Sequence, residues 1–225
     1  VYGIDASTSD EFQHTTRVMA GYADYIFRTA KFSARAGLRY EYSYMRGSYP
    51  DGKGAAFSKH LGDWVPQATL KFQLTDAQSL KFNYTTSINR PGISYLNPAA
   101  TVSPSSVSQG NPQLSSSYTH RVSLIYTYIM PNLTLQLAPG YTAYSNGISS
   151  VVTAKDDVRH STYENILRYS RTSFEQYVQW KPFATTTLVA NNNLRYEHYE
   201  NPDLGYLTHG WSDSYSFSLQ QRLIA

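Results

Sequence analysis

Cysteine is absent from all 225 residues. That absence excludes disulfides, thiolate nucleophiles and cysteine-held zinc, without fixing a compartment. Long apolar runs are missing too: nothing approaches the ~20 consecutive residues that a membrane-spanning helix needs. Charge of one sign is scarce. The 19 Lys and Arg stand against 16 Asp and Glu, and a formal net charge of +3 is too mild to argue for nucleic acid as a partner. There is no G-x-S-x-G, no H-E-x-x-H and no framed pair of carboxylates, so neither enzymatic activity nor a resident cofactor or metal is expected. Val1 opens the chain without the basic and apolar regions of a signal peptide. The expectation is a cleaved leader or an internal piece of a longer protein.

What is present is alternation. Between Lys31 and Met45 one set of residues reads Phe32, Ala34, Ala36, Leu38, Tyr40, Tyr42, Tyr44, and the other reads Lys31, Ser33, Arg35, Gly37, Arg39, Glu41, Ser43. A strand sends successive side chains to opposite faces, so this stretch has one apolar and one charged face. It is roughly twice the usual ~5–6 residues of a soluble strand and meets the ~9–11 that a tilted strand needs to cross a bilayer. A mean hydropathy of −0.45 is compatible with that, because half of every barrel strand faces water. The 21 tyrosines suit both a pleated surface and a membrane interface.

The pattern repeats. Strands are expected over residues 15–28, 31–45, 64–74, 80–89, 122–128, 133–144, 163–180, 185–197 and 211–223. Short turns near 29, 76, 131 and 182 alternate with long polar segments near 50, 100, 155 and 204. Outer-membrane barrels have short periplasmic turns and longer extracellular loops. A soluble sandwich has no reason for such two-sided asymmetry. The segment 90–118 is too long for a compact soluble domain, and its Pro91, Pro98, Pro104 and Pro112 suit an exposed loop that does not pair as an extra strand. The fold class expected is an all-β, antiparallel, up-and-down transmembrane barrel in one domain over 1–225. The count of about nine strands is odd and bacterial barrels are even, so a partial set cut from a larger barrel is expected. The ending Arg222-Leu223-Ile224-Ala225 lacks the terminal aromatic expected of a barrel's C-terminus.

One stretch carries a family resemblance. It reads Ile88-Asn89-Arg90-Pro91, then Tyr95-Leu96-Asn97-Pro98, then Gln109-Gly110-Asn111-Pro112-Gln113-Leu114, then Tyr118. This resembles the loop of the TonB-dependent-receptor-like outer-membrane β-barrel family. The run Gly37-Leu38-Arg39-Tyr40-Glu41, with Ala20-Gly21-Tyr22 and Thr162-Tyr163-Glu164-Asn165, fits the same family. Ser115-Ser116-Ser117 departs from it, standing where a Lys-Pro-Glu-like sequence is common. The resemblance implies a barrel of about 22 strands plugged by an N-terminal domain that these residues do not include. It also implies TonB as the source of energy, a small-molecule or metal-chelate substrate, and the outer membrane of a Gram-negative bacterium as the location. The rival is a self-contained porin-like channel or adhesin of about 8–10 strands.

Candidate residues follow from the faces. Lys31, Arg35, Arg39, Lys81 and Arg121, with Arg195 and Arg222, lie on expected inward faces. They form either a basic lumen drawing in an anionic substrate or a solvated wall paired with Glu41 and the plug. Tyr40, Tyr42, Tyr44, Trp64, Trp180 and Trp211 are expected in interfacial girdles against the lipid bilayer. The loop residues Arg90, Pro91, Leu96, Asn97, Pro98, Gly110, Asn111, Pro112 and Leu114 carry the family motif. His198 and His209 flank a loop with Glu197, Glu200 and Asp203, where ordinary loop polarity is favoured over a metal contact.

Overall fold

The computed structural model describes residues 11–52, 54–201 and 205–222. The strands are β1 (Gln13–Arg28), β2 (Phe32–Ser48), β3 (Phe57–Gln73) and β4 (Gln78–Asn89). A helical turn α1 (Ile93–Leu96) and a small hairpin, β5 (Thr101–Ser103) and β6 (Ser106–Ser108), follow. The wall continues through β7 (Ser117–Met130), β8 (Leu133–Lys155), β9 (Val158–Phe183), β10 (Thr186–Asn201) and β11 (Tyr206–Gln221). Among the described residues nine long strands run β1-β2-β3-β4-β7-β8-β9-β10-β11, each antiparallel to the next. Among the described residues β1 and β11 do not pair, so the sheet is an open, all-β partial barrel.

The faces follow the period-2 pattern. On β2, Leu38, Tyr40 and Tyr42 are exposed on the convex side, while Glu41, Ser43 and Met45 are buried on the concave side. Across β2 and β3 the convex rows read Phe32 opposite Phe72, Ala36 opposite Ala68, and Tyr40 opposite Trp64. The Phe32–Phe72 and Tyr40–Trp64 rings lie 4.6 Å apart in both pairs. These two rows bracket a band of Ala, Leu and Pro about 20 Å tall at a strand tilt of ~40°, close to the ~25 Å apolar band of a membrane barrel. Ala36 lies midway between them and Arg35 beside it faces inward to Asp24. Ala36→Arg is therefore expected to destabilise the folded protein by about 2–4 kcal/mol in bilayers. Urea unfolding in lipid vesicles measures this, and a loss below ~1 kcal/mol would contradict a lipid-facing Ala36.

The strands outrun the sequence expectation at the long-loop end. The long polar segments expected near 50 and 204 are shortened, because β2 and β3 reach Ser48 and Phe57, and β10 and β11 reach Asn201 and Tyr206. The polar excursion near 155 is a strand continuation that turns at Asp156 and Asp157, both with positive φ (52° and 61°). Such paired left-handed residues match the right-handed twist of a two-residue hairpin, and Asp tolerates them. Polarity misled the reading here, since strands standing above the membrane are wet on both faces. Prolines interrupt two ladders. Pairing of β3 with β4 ends at Gln67–Thr85, next to Pro66, and pairing of β7 with β8 skips from Ser123–Gly140 to Tyr126–Leu137, around Pro139. Neither proline has an N–H to donate.

The segment 90–118, expected as an exposed loop that does not pair as an extra strand, is the largest departure. Instead β6 adds in parallel to β9 (Val107 opposite His160), and the loop folds onto the concave face of β2 and β3. Leu96 (0% exposed) and Leu114 (1%) bury against Met45, Phe57 and Leu61, with Phe12, Ile93, Ile148 and Tyr163 packed around them. Met45, Phe57 and Leu61 are thus apolar on a face that is otherwise wet, because a loop covers them. The C-terminal Leu223, Ile224 and Ala225 lie outside the described residues.

Candidate functional site: a latched loop on a charged wall

The site is built on a pair of carboxylates. Glu41 on β2 and Asp63 on β3 stand directly opposite each other on the concave face, where like charges repel. Asp63 is 2% exposed. Arg90, at the point where β4 gives way to the loop, resolves the repulsion. Its Nη2 pairs with Glu41, and its Nε lies 3.4 Å from Asp63 Oδ2. That second contact is coulombic, since the buried Nε makes no hydrogen bond. Arg39 Nε holds the other oxygen of Glu41 at 2.6 Å. Asp63 also accepts hydrogen bonds from Ser116 Oγ (3.0 Å) and Tyr118 Oη (2.7 Å). Both ends of the loop therefore close on one wall carboxylate.

The loop's own motif makes this closure possible. Gly110 N donates to Asn97 O and Asn111 N to Tyr95 O, stapling the two halves together. A Cβ at Gly110 would lie 2.4 Å from Asn97 O and 2.7 Å from Tyr95 O, both backbone atoms, so a side chain there would force the staple apart. Asn97 Oδ1 accepts from Tyr49 Oη (2.7 Å) and from the Ala99 amide (3.0 Å). Pro91 is buried beside Arg90, while Pro98 and Pro112 stand half-buried at the ends of the staple. From β9, Asn165 Oδ1 accepts the Ser115 amide (2.9 Å), and its Nδ2 donates to Ser115 O (3.0 Å) and Asn146 O (2.8 Å). Asn146, in a bulge with φ 57°, donates to Ser116 O (2.8 Å). Tyr163 stacks on Tyr95 at 4.3 Å.

The structure thus brings together the loop motif, Glu41 and the segment 162–165, which are far apart in sequence. It also assigns work to residues the sequence reading passed over. Asp63 and Asn146 were not singled out, and Ser115–Ser117 had been read only as a departure from the family pattern. An acidic residue at an inward register position opposite Glu41 was the available signal for Asp63. The signal was weak because register is a tertiary property.

The basic residues separate into two groups. Arg35 pairs with Asp24 (3.0 Å) and Arg39 with Glu41. Lys31, Lys71 and Lys81 have no carboxylate partner among the described residues, and Lys71 stands directly opposite Lys81 near the short turns. Arg121 makes a long contact to Ser87 (3.5 Å), and Arg195 binds Asn193 (3.1 Å). At the wet end of the wall, burial holds the Lys59 ammonium below the usual lysine range. Further round, Gln136, Glu175, Tyr177, Asn191 and Asn193, with Ile125 and Ala138, line a concavity of ≈ 460 Å³. On the convex side Tyr40, Tyr42, Trp64, Trp180 and Trp211 are all exposed, and Tyr44 packs on His60 at 4.9 Å. His198 and His209 face each other across β10 and β11. Asp203 lies outside the described residues, and no three metal-ligating groups converge among the described ones.

Comparison with known proteins agrees with this architecture. Residues 1–224 match the outer membrane protein beta-barrel family, and the chain belongs to it. Its fold is that of receptor barrels solved for uptake proteins. The FrpB iron transporter of Neisseria meningitidis superposes with a TM-score of 0.68 at 10% identity, over 96% of this chain and 32% of that one. The copper transporter OprC gives 0.61 at 10% identity, over 84% and 34%. The ferric yersiniabactin uptake receptor FyuA of Yersinia pestis gives 0.55 at 17% identity, over 85% and 28%. The chain therefore spans about a third of the length of these proteins. No curated protein matches it.

Proposed function

We propose that this chain is wall and extracellular loop of a TonB-dependent uptake receptor in a Gram-negative outer membrane. The observation that carries the reading is the latched loop. A long loop that is stapled internally and tied by Arg90 to two wall carboxylates narrows the mouth while leaving the wall below it open and charged. The unpaired Lys31, Lys71 and Lys81 favour an anionic solute, such as a metal chelate, over a neutral one. The wall offers surface rather than chemistry, so no enzymatic role is assigned to it. The plug domain and TonB are the partners this reading requires.

The test is uptake by cells carrying or lacking the full gene, supplied with radiolabelled iron on a panel of anionic chelators. Accumulation that needs both the gene and TonB supports the reading. Gene-dependent entry that persists without TonB, with swelling of liposomes bearing the purified protein in neutral sugars, would overturn it in favour of a passive channel.

A further inference from the structure

One sector of the convex face is polar at mid-membrane depth. On β2 and β3 the outward side chains between the aromatic rows are Ala, Leu and Pro, and on β8 they are Leu135, Leu137 and Pro139. On β9, β10 and β11 the outward parity is set by Trp180, Leu188 and Leu219 at one end and by Thr172, Tyr196 and Trp211 at the other. Gln176 and Asn192 face each other midway between these rows. Asp213 lies diagonally beside Asn192, just inside the Trp211 row. The three side chains form a line, in which Gln176 Nε2 donates to Asn192 Oδ1 (3.2 Å) and Asn192 Nδ2 donates to Asp213 Oδ1 (2.7 Å). Asp213 is exposed, and no basic side chain pairs with it among the described residues.

Lipid tails offer such a line no partner. A carboxylate and two amides in hydrocarbon leave donors and acceptors unmet, which is costly where lipid alone surrounds them. Among the described residues each amide keeps one N–H free, and Asp213 keeps its second oxygen free. A further barrel strand beside β11 would reach Asp213, but Gln176 is two strands away, about 10 Å at the usual ~4.8 Å spacing. Only a surface set against this face from the membrane side meets all three. The line also has a direction, from the donor Gln176 to the acceptor Asp213. A two-fold axis along the membrane normal exchanges left and right and keeps depth. It turns Gln176 of one copy toward Asp213 of the other and Asn192 toward its own copy, donors against acceptors throughout.

We propose that the Gln176–Asn192–Asp213 face is the contact between two copies of this protein in the outer membrane, with Asn192 at the two-fold axis. Hydrogen bonds across the axis replace polar groups left unmet in lipid, which joins membrane segments where apolar burial gives no advantage over lipid. Ala190 and Leu194 flank Asn192 on the same face of β10 and give the contact an apolar surround. The contact uses the outside of the wall and leaves the lumen and the latched loop untouched.

The experiment is disulfide trapping of the full-length protein in isolated outer membranes. Asn192→Cys, in a background free of other cysteines, is oxidised with copper phenanthroline. Ala36→Cys, on the convex face of β2, is the control. The expected result is a reducible species of twice the monomer mass from Asn192→Cys and none from Ala36→Cys. On dilution in liposomes, Asn192→Leu/Asp213→Leu should dimerise roughly 20-fold more weakly than the native protein, or about 1.8 kcal/mol for three hydrogen bonds lost across the axis. Heat-shifted gel migration reports whether the double variant folds, and if it does not, the trapping result decides. No doubled species from Asn192→Cys, equal trapping at Ala36→Cys, trapping to a protein of another mass, or undiminished dimerisation of the folded double variant would each overturn the proposal. The same trapping is expected in membranes from cells lacking TonB, so its outcome is separate from that of the uptake test.

Discussion

Arg90→Ala is expected to open the loop and to destabilise the mouth by about 3–5 kcal/mol, the cost of leaving buried charges without their partner. Glu41 and Asp63 face each other on adjacent strands, and Asp63 is almost wholly buried. Without the guanidinium, Arg39 still holds one side of Glu41, but among the described residues Asp63 retains only the hydroxyls of Ser116 and Tyr118. Two carboxylates facing each other without the guanidinium repel, so the strands above Pro66 should part. Limited proteolysis of the vesicle-embedded protein reads this directly, as new cleavage within 90–116. Asp63→Asn in the Arg90→Ala background should restore part of the protection, because it removes the repulsion while keeping an acceptor for Tyr118. An Arg90→Ala protein whose loop stays as resistant as the native one would show that the ion pairs do not hold the latch.

Leu114→Ala tests the apolar half of the same closure. Leu114 is 1% exposed and packs with Leu96, Met45, Phe57 and Leu61. Truncating a leucine so enclosed removes buried surface and leaves a cavity, a loss of about 2–5 kcal/mol. The effect should be local. The membrane-spanning part of the wall is held by strand ladders that the substitution does not touch, so hydrogen exchange should rise across the loop and the upper ends of β2 and β3 but not around Ala36 or Ala68. Exchange rising through the whole wall would mean that the loop cluster is a keystone of the barrel itself. Exchange rising nowhere would mean that the loop is held by polar contacts alone. With Arg90→Ala, the pair divides the latch into its charged and apolar parts.

Much of the protein was legible in its sequence. The alternation from Phe32 to Tyr44 fixed strand, face and environment together, because a two-residue period allows one apolar face and one wet face and nothing else. The turns near 76 and 131, set against long polar segments, gave the two-sided asymmetry of a membrane barrel. The aromatic rows at Tyr40, Trp64, Trp180 and Trp211 were placed on the outer face by parity alone. What stayed hidden was whatever depends on register or on long-range contact. Parity says that Glu41 and Asp63 both point inward, yet only the β2–β3 register sets them opposite each other. The prolines and serines of 90–116 read as exposed polarity, yet Leu96 and Leu114 bury there because Met45, Phe57 and Leu61 wait on a wall more than thirty residues away. Strand period is a local property written residue by residue, so the sequence by itself determined the sheet, its two faces and its membrane. Which charge meets which, and which loop covers which wall, is set by alignment between distant strands, and only the tertiary structure decided it.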